Sequence, residues 1–499
     1  MSRPKHIVPA VAVLAVLTVV SRWLFFRRTI IYPYDGYYYM FLAKSLYAGQ
    51  GYAVRGIPHA KFLPLYPLLT AAAYFFTPDI ETAANVVVSF MAGACVVLTY
   101  LLGVRLADRV AGLTGAALLA VSPVYLKWTS VPMAETPFTF FFLLGTYLLV
   151  RGVQESQPKF LLLGAASGGM SLIGRYEGIL FLPLLIWALT TKGSTLRAPV
   201  KSKLAALGLY AMPLVVYLVR NYLVIETQAK VSYLTELQRY GALDLGVIAG
   251  RARYYLLAPF DGHLTIGLIA YAGLLRLFLT RRESFKPLAL WIGGFYVFHL
   301  FWYYVYERFV MPALPALFIA AGVLLSGVWG WLSLRPGRLV FRTACLGFFG
   351  LLIVASWRHA VGLTLLHQKL LALDSRGKDF SGVVSAGRWI DKNIKDASIA
   401  TNTGLYGTFY ARRNTLYLTD YAFEPVDPAN FRSKRPLMPQ LKRQGVRVLL
   451  LVQGQNDPSS LYPDWDDVAS LRDKKKRLVF ESPGQPRSAP VSVIILGRR

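Results

Sequence analysis

Charge is scarce in this 499-residue chain: only 16% of it is Asp, Glu, Lys or Arg, against 55% hydrophobic. A soluble globular chain carries about 25% charge, so an ordinary water-soluble enzyme is excluded, and intrinsic disorder with it. Cysteine is scarcer still. Cys95 and Cys345 lie in apolar runs and read as small buried hydrophobes. They give neither a disulfide scaffold nor a tetrahedral thiolate metal site. Neither a Walker A sequence nor G-x-G-x-x-G occurs, and there is no internal repeat or low-complexity tract. Missing nucleotide motifs suit a site facing away from the cytoplasm, where nucleotides are few.

Acids are the most informative scarcity. The chain holds 54 Lys+Arg and 26 Asp+Glu, a formal charge of +28. Residues 1–357 hold 31 basic and 13 acidic side chains; residues 358–499 hold 23 and 13. The basic excess is therefore partly a shortage of carboxylates in the first block rather than a nucleic-acid footprint.

What the chain has in abundance is apolar runs bounded by charge. They predict about eleven membrane spans, near 7–26, 83–104, 110–126, 137–150, 160–174, 179–191, 204–222, 263–279, 287–305, 309–330 and 339–357. The first is read as a retained span, because no small-residue cleavage site follows it. Residues 63–76 are left out: Pro64 and Pro67 interrupt them, and they fit a surface-lying segment. Short basic loops at Arg105/Arg109, Arg151/Lys159, Lys192–Lys203, Arg276–Lys286 and Arg335–Arg342 share one side with Arg3 and Lys5. That side is expected to be the cytoplasm.

Of the thirteen acids in this part, only Asp108, Glu155 and Glu283 then fall in cytoplasmic loops. The other ten, Asp35, Asp79, Glu81, Glu135, Glu177, Glu226, Glu236, Asp244, Asp261 and Glu307, fall outside. Chemistry is expected on the outer face. Residues 358–499 are a different material, polar and mixed in charge. Short β-like runs at Ser398–Thr401, Val446–Val452 and Val491–Leu496 alternate with helical stretches near 382–394 and 434–444. They predict a soluble extracytoplasmic α/β domain. The expected architecture is thus a polytopic α-helical membrane domain over 1–357, with outer loops near 27–82 and 223–262, followed by that α/β domain.

The outer loops carry the candidate residues. Asp35 lies among five tyrosines in Tyr32-Pro33-Tyr34-Asp35-Gly36-Tyr37-Tyr38-Tyr39. It reads either as a helix N-cap or as a general base for a hydroxyl-bearing acceptor. His59 and Lys61 follow, the lysine suited to a phosphate or to snorkelling toward headgroups. Glu135 opens a span, where the helix dipole favours an acid. Arg175-Tyr176-Glu177-Gly178 sits between two apolar segments, and Glu307-Arg308 repeats the pairing. Two such pairs at one membrane depth suit an anionic group, since the guanidinium fork matches phosphate. Arg239, Arg251 and Arg253 with Tyr254 and Tyr255 form a basic segment, read as lying on anionic headgroups or acting as a lid.

Taken in order, five features resemble the GT-C polytopic glycosyltransferases that use polyprenyl-phosphate sugar donors, within them the protein mannosyltransferase and aminoarabinose transferase group. They are Asp35 opening a long outer loop, Lys61 with Pro64-Leu65-Tyr66, Ser122-Pro123 through Glu135-Thr136-Pro137, Arg175-Tyr176-Glu177-Gly178, and Arg308-Phe309-Val310-Met311-Pro312 ending at Pro315. Trp389-Ile390 and Tyr410-Ala411-Arg412-Arg413 in the terminal domain fit as well.

The resemblance implies Asp35 as the catalytic acid/base or acceptor-positioning residue, with Lys61, Arg175 and Arg308 holding the donor phosphate. It implies that Tyr34, Tyr38, His59, Tyr66, Glu135, Tyr176, Glu177, Tyr306 and Glu307 line the cavity. It implies inverting transfer of a sugar from a polyprenyl-phosphate donor to a lipid, glycan or protein acceptor, at a plasma membrane. Two departures stand out: the family's Lys-Pro-Pro is Lys61-Phe62-Leu63-Pro64, and Asp-Gly replaces paired acids in the first loop. No cofactor is expected; a divalent metal is possible but not indicated. The alternatives are a polytopic lipid or sugar transporter (or flippase) and a non-enzymatic outer-face binding protein. A transporter would show inverted repeats and midplane charges, and neither is visible.

Overall fold

A backbone in lipid must satisfy its own hydrogen bonds, so apolar runs of this length fold as helices. In the computed structural model every expected run falls on one or two of them. The described residues are 7–54, 56–191, 200–224, 245–261, 263–302, 304–332, 338–373, 379–395, 397–412, 415–418, 436–452, 478–481 and 491–496. Among these, six helices are long and apolar enough to cross a membrane by length and composition. They are Pro9–Arg28, Ile80–Leu106, Glu135–Glu155, Val200–Val224, Met311–Leu332 and Leu339–Leu371. A seventh exists if Leu245–Phe260 and Leu264–Thr280, which meet at 102°, are one broken span.

Several of the eleven expected spans are therefore helices too short to cross alone. The run at 110–126 breaks at Ser122, whose hydroxyl accepts the Tyr125 N–H at 3.4 Å while Pro123 starts a new helix, Pro123–Trp128. The helix at Pro158–Leu172 has 15 residues, and the next run is a 3-10 turn, Tyr176–Phe181, followed by Leu182–Thr190. About 20 residues are needed to span. Residues 65–74 form a separate helix, Leu65–Tyr74.

Two of the scarce acids are caps. Asp79 accepts the Thr82 N–H at 2.7 Å and Asp108 the Ala111 N–H at 2.9 Å, each opening a helix. Glu226, Glu236, Asp244 and the expected Arg239 lie outside the described residues.

The chain divides into two compact units, one of Met1–Arg27 with Leu42–Leu365, the other of Arg28–Phe41 with Leu366–Arg499. In the first, helices approach through small residues, as helices in lipid do when no hydrophobic drive separates them from their solvent. A Cβ on Gly322 would lie 2.2 Å from the Ala111 carbonyl oxygen, so no larger residue fits there. Arg22, fully buried in Ile7–Arg28, donates from Nη2 to the Ala120 carbonyl at 2.9 Å and from Nε to Thr129 at 3.2 Å.

In the second unit five strands form one sheet in the order Thr415–Tyr417, Ser398–Thr401, Val446–Val452, Val491–Ile495, Leu478–Glu481. The first three run parallel to one another; Val491–Ile495 pairs antiparallel with both Val446–Val452 and Leu478–Glu481. Its core gathers Ala400, Leu418, Leu437, Leu441, Leu449 and Ile494. Helix Gly382–Asn393 precedes the first of these strands in sequence, and Leu405–Ala411 and Leu437–Arg443 lie between strands. The β-like runs read from alternation and β-branching coincide with three of these strands.

Candidate active site

In the first unit a buried ionic network gathers residues from four separate segments. Glu135 stands at the first position of Glu135–Glu155 and is fully buried. Its Oε1 accepts from Arg175 Nη1 at 2.7 Å and lies 3.7 Å from Arg308 Nε; its Oε2 has no hydrogen-bond partner. Arg175 turns its other edge to Glu177, donating from Nη2 at 2.7 Å and from Nε at 3.2 Å. One guanidinium fork thus bridges two carboxylates.

The turn that carries Arg175 is tight because Gly178 allows it: a Cβ there would lie 2.4 Å from the Leu172 Cα. His299, buried at the end of Arg282–Leu300, stacks on Phe309 at 5.4 Å between ring centroids. Its Nε2 is 3.7 Å from Glu177, and its Nδ1 sits 2.7 Å from the Phe295 carbonyl, the geometry of an N–H donor. Burial pushes the Glu177 carboxyl upward, but the Arg175 charge and the His299 ring outweigh it and hold it well below the usual carboxylate range.

Sequence proximity suggested that Glu307 pairs with its neighbour Arg308. Tertiary structure separates them. Glu307 forms an ion pair with Lys127, accepts from Trp128 Nε1 at 3.2 Å and from the Tyr254 hydroxyl at 3.1 Å. Burial raises the Glu307 carboxyl, but Lys127 overrides it and the net shift is downward. Arg308 instead faces Glu135 and lies over the rings of Phe309, Tyr306 and Trp128 at 5.2–5.4 Å. Arg308 and Arg175 therefore converge on one carboxylate from segments 133 residues apart in sequence.

The other cavity-wall candidates differ in accessibility. Tyr66 is fully buried, its hydroxyl 3.4 Å from the Ala84 carbonyl; burial, with the Glu135 charge adding to it, pushes its phenol well up. Tyr176 and Tyr306 are exposed. His59 is a loop brace: its ring stacks on Phe62 and its Nε2 accepts the Phe62 N–H at 3.1 Å. Burial, with Lys61 and Arg220 beside it, lowers the His59 imidazole to about 3. Arg220 donates to the His59 and Tyr52 carbonyls at 2.6 and 2.8 Å, and Tyr217 to those of Ala60 and Phe62 at 2.9 and 3.0 Å. Lys61 is thus carried on a loop clamped by Val200–Val224. The loop's end is joined to the arginine turn, since Leu65 N–H donates to the Ile173 carbonyl at 3.0 Å.

Asp35 belongs to the second unit. It sits inside the first turn of Tyr34–Tyr47 rather than at the cap, where its charge favours the helix dipole. Tyr34 and Tyr38, expected to line a cavity, pack edge-to-face with each other at 5.6 Å, and Tyr38 is buried. Lys127, Trp128 and His299 escaped the sequence reading, and Tyr254 was read only as part of the basic segment. Lys127 is a basic residue at the end of an apolar run, the one signal that could have singled it out. Arg251 donates to the Leu300 carbonyl and Tyr255 to that of Tyr304, so the expected basic surface segment packs against this turn. Among the described residues no group of three His, Cys, Asp or Glu is placed to hold a metal ion.

Bundle, embedded charges and terminal sheet together define a multi-pass membrane protein with the GT-C glycosyltransferase fold. Residues 58–219 match the model of the dolichyl-phosphate-mannose-protein mannosyltransferase family, a stretch that holds Lys61, Glu135, Arg175 and Glu177. ArnT from Cupriavidus metallidurans, solved with undecaprenyl phosphate bound, is similar with a TM-score of 0.63 and 15% identity, over 99% of this chain and 98% of that one. The oligosaccharyltransferase AglB from Archaeoglobus fulgidus, solved with an inhibitory peptide and a dolichol-phosphate, gives 0.58 and 11%, over 98% and 74%. Arabinofuranosyltransferase AftD from Mycobacteria gives 0.54 and 15%, over 100% and 40%. No curated protein sequence matches the chain.

Proposed function

We propose that this protein transfers a sugar from a polyprenyl-phosphate donor to an extracytoplasmic acceptor, with inversion at the anomeric carbon. The observation that carries this reading is the convergence of Arg175 and Arg308 on buried Glu135. In the proposed reaction the acceptor oxygen bonds to the anomeric carbon as the bond from that carbon to the phosphate oxygen breaks. The electron pair leaves with the phosphate, which passes from a singly charged diester toward a doubly charged monoester. The acceptor proton goes to the Asp35 carboxylate, the proposed base.

Fixed cations near the phosphate stabilise the developing charge more than the bound donor, which is what lowers a barrier. Arg175 already spends its fork on two glutamates, so its part is to set the field and hold Glu135. Arg308, only 3.7 Å from Glu135 and thus outside hydrogen-bond reach of it, is the proposed direct phosphate contact, with Lys61 as a second. Three cations (Lys127, Arg175, Arg308) balance three carboxylates (Glu135, Glu177, Glu307) in the network. The outer-face placement and a cytoplasmic N-terminus follow the basic-loop reading of the sequence.

The test is transfer from a panel of polyprenyl-phosphate sugars to extracted lipid, glycan and protein acceptors, read by mass spectrometry. Arg308→Ala should raise the donor KM about tenfold or more while leaving the acceptor KM near its starting value. Equal effects on both substrates would refute the phosphate contact.

A further inference from the structure

The helical turn that carries Asp35 is held by aromatic packing. In Tyr34–Tyr47 the residues Tyr34, Tyr37, Tyr38 and Phe41 recur at the spacing of one helix face, and Asp35 lies about 100° round from Tyr34. Within the second unit that face packs on the short helix Leu405–Ala411. Tyr37 meets Tyr406, Phe409 and Tyr410 edge-to-face, with centroids at 5.0, 5.2 and 6.1 Å. Tyr34 meets Tyr406 at 5.5 Å, and Phe41 meets Phe409 at 5.5 Å. Tyr37 is fully buried by these contacts.

A hydroxyl chain runs through the same residues. The Tyr32 N–H donates to the Tyr37 hydroxyl, Tyr37 and Tyr410 face each other hydroxyl to hydroxyl, and Tyr410 donates to the Ile30 carbonyl, each at 3.3 Å. Each hydroxyl then gives one bond and takes one, with Tyr37 as donor to Tyr410. These bonds are long, so the rings carry most of the energy and the hydroxyls set direction. Both the lead-in at Ile30–Tyr32 and the first helical turn are tied to this pair of side chains. A helix N-terminus otherwise frays, its first amides lacking intrahelical partners.

Tyr410 is itself anchored. Arg388 lies over its ring at 5.5 Å, and a Cβ on Gly387 would stand 2.6 Å from the Tyr410 Cβ, so the helix Gly382–Asn393 presses directly on it. Tyr406 is packed likewise against Phe380 at 5.3 Å.

We propose that Tyr406 and Tyr410 are positioning residues that aim the Asp35 carboxylate, giving the sheet-bearing unit a part in the transfer step. This rests on the reading of Asp35 as the base. With the tyrosine face immobilised, the rotation and depth of the first turn are set, and Asp35 projects from its flank in one direction. Misplacing a reacting group by about 1 Å costs on the order of 100-fold in rate.

The experiment uses the full chain, purified in detergent, with whichever donor sugar the panel identifies. Tyr410→Ala should lower kcat roughly 10- to 100-fold, with the donor KM within about twofold. Tyr410→Phe keeps every ring and should recover most of that loss. The decisive arm places Tyr410→Ala on an Asp35→Glu background, where the carboxylate is already displaced. There the further loss should shrink to about twofold, because residues acting as one unit are non-additive.

Equal losses in both backgrounds, or a donor KM that rises with the fall in kcat, would overturn the inference. If Tyr410→Ala does not purify as a monodisperse species, the pair Tyr37→Phe with Tyr410→Phe carries the test, with an expected loss of about threefold; no loss overturns it. Should Asp35→Asn itself keep turnover, the base reading falls. If Asp35→Asn loses turnover while Tyr410→Ala matches the parent, only the positioning role falls.

Discussion

Two regions of this protein show different contacts around their carboxylates. Around Glu135, charges fix charges: Arg175 and Arg308 come from distant segments, and each acid is bound by a cation. Around Asp35, tyrosine and phenylalanine rings fix the backbone that carries the acid. The difference teaches what each region suits. A buried ionic network is costly to break, because removing one partner strands another charge away from water. An aromatic platform keeps its geometry whether the acid it carries is charged or neutral, which suits a group that takes up and gives back a proton.

The comparison breaks most visibly at the acids themselves. Asp35→Asn should lower transfer by about 100-fold or more while expression and the thermal midpoint stay at the parent level. A normal rate would remove the base, and a collapsed midpoint would show that Asp35 is structural after all. Glu135→Gln should do the reverse, costing about 3–5 kcal/mol of stability by leaving two arginines facing a neutral group. Denaturation in detergent reads this directly, and an unchanged midpoint would mean that the network is not structural.

A finer distinction lies in the choice of cation. Arg308→Lys keeps a charge but loses the planar fork and its stacking over Phe309 and Trp128, so it should recover only part of the donor affinity lost in Arg308→Ala. Full recovery would argue for a point charge alone.

Acid should discriminate the regions too. The Glu177 and Glu307 carboxyls are depressed in the folded chain. Their stabilisation is fully present above the unfolded value of about 4.3 and is lost as pH falls through the lower folded values. The thermal midpoint should therefore decline on acidification below about pH 4.3, and Glu177→Gln should flatten that limb. The smallest effect belongs to His59, lowered to about 3 in the folded loop. Its neutral form favours folding above about pH 6.5, and that support is lost as pH falls from there. Hydrogen exchange in residues 48–64 should rise over this interval in the parent chain and stay flat in His59→Asn.

Much of this was legible in the residues in order. Apolar runs with charged borders located the helices, since hydrophobicity and length act locally and lipid leaves no other backbone solution. The strands at Ser398–Thr401 and Val446–Val452 were equally readable from β-branched runs. The scarcity of acids picked out Glu135, Glu177 and Glu307, because a carboxylate among apolar residues needs a reason.

What stayed hidden was pairing. Glu307 and Arg308 are neighbours in the chain yet face different partners, since consecutive residues in a tight turn point apart and a buried charge takes the partner that the packing supplies. The five tyrosines around Asp35 look like a wall for a substrate. Only the packing of Tyr37 against Tyr406, Phe409 and Tyr410, more than 360 residues further on, turned three of them into the support of one acid. Spacing along the chain decides which face a side chain occupies, whereas its partner depends on contacts whose closure no local pattern records.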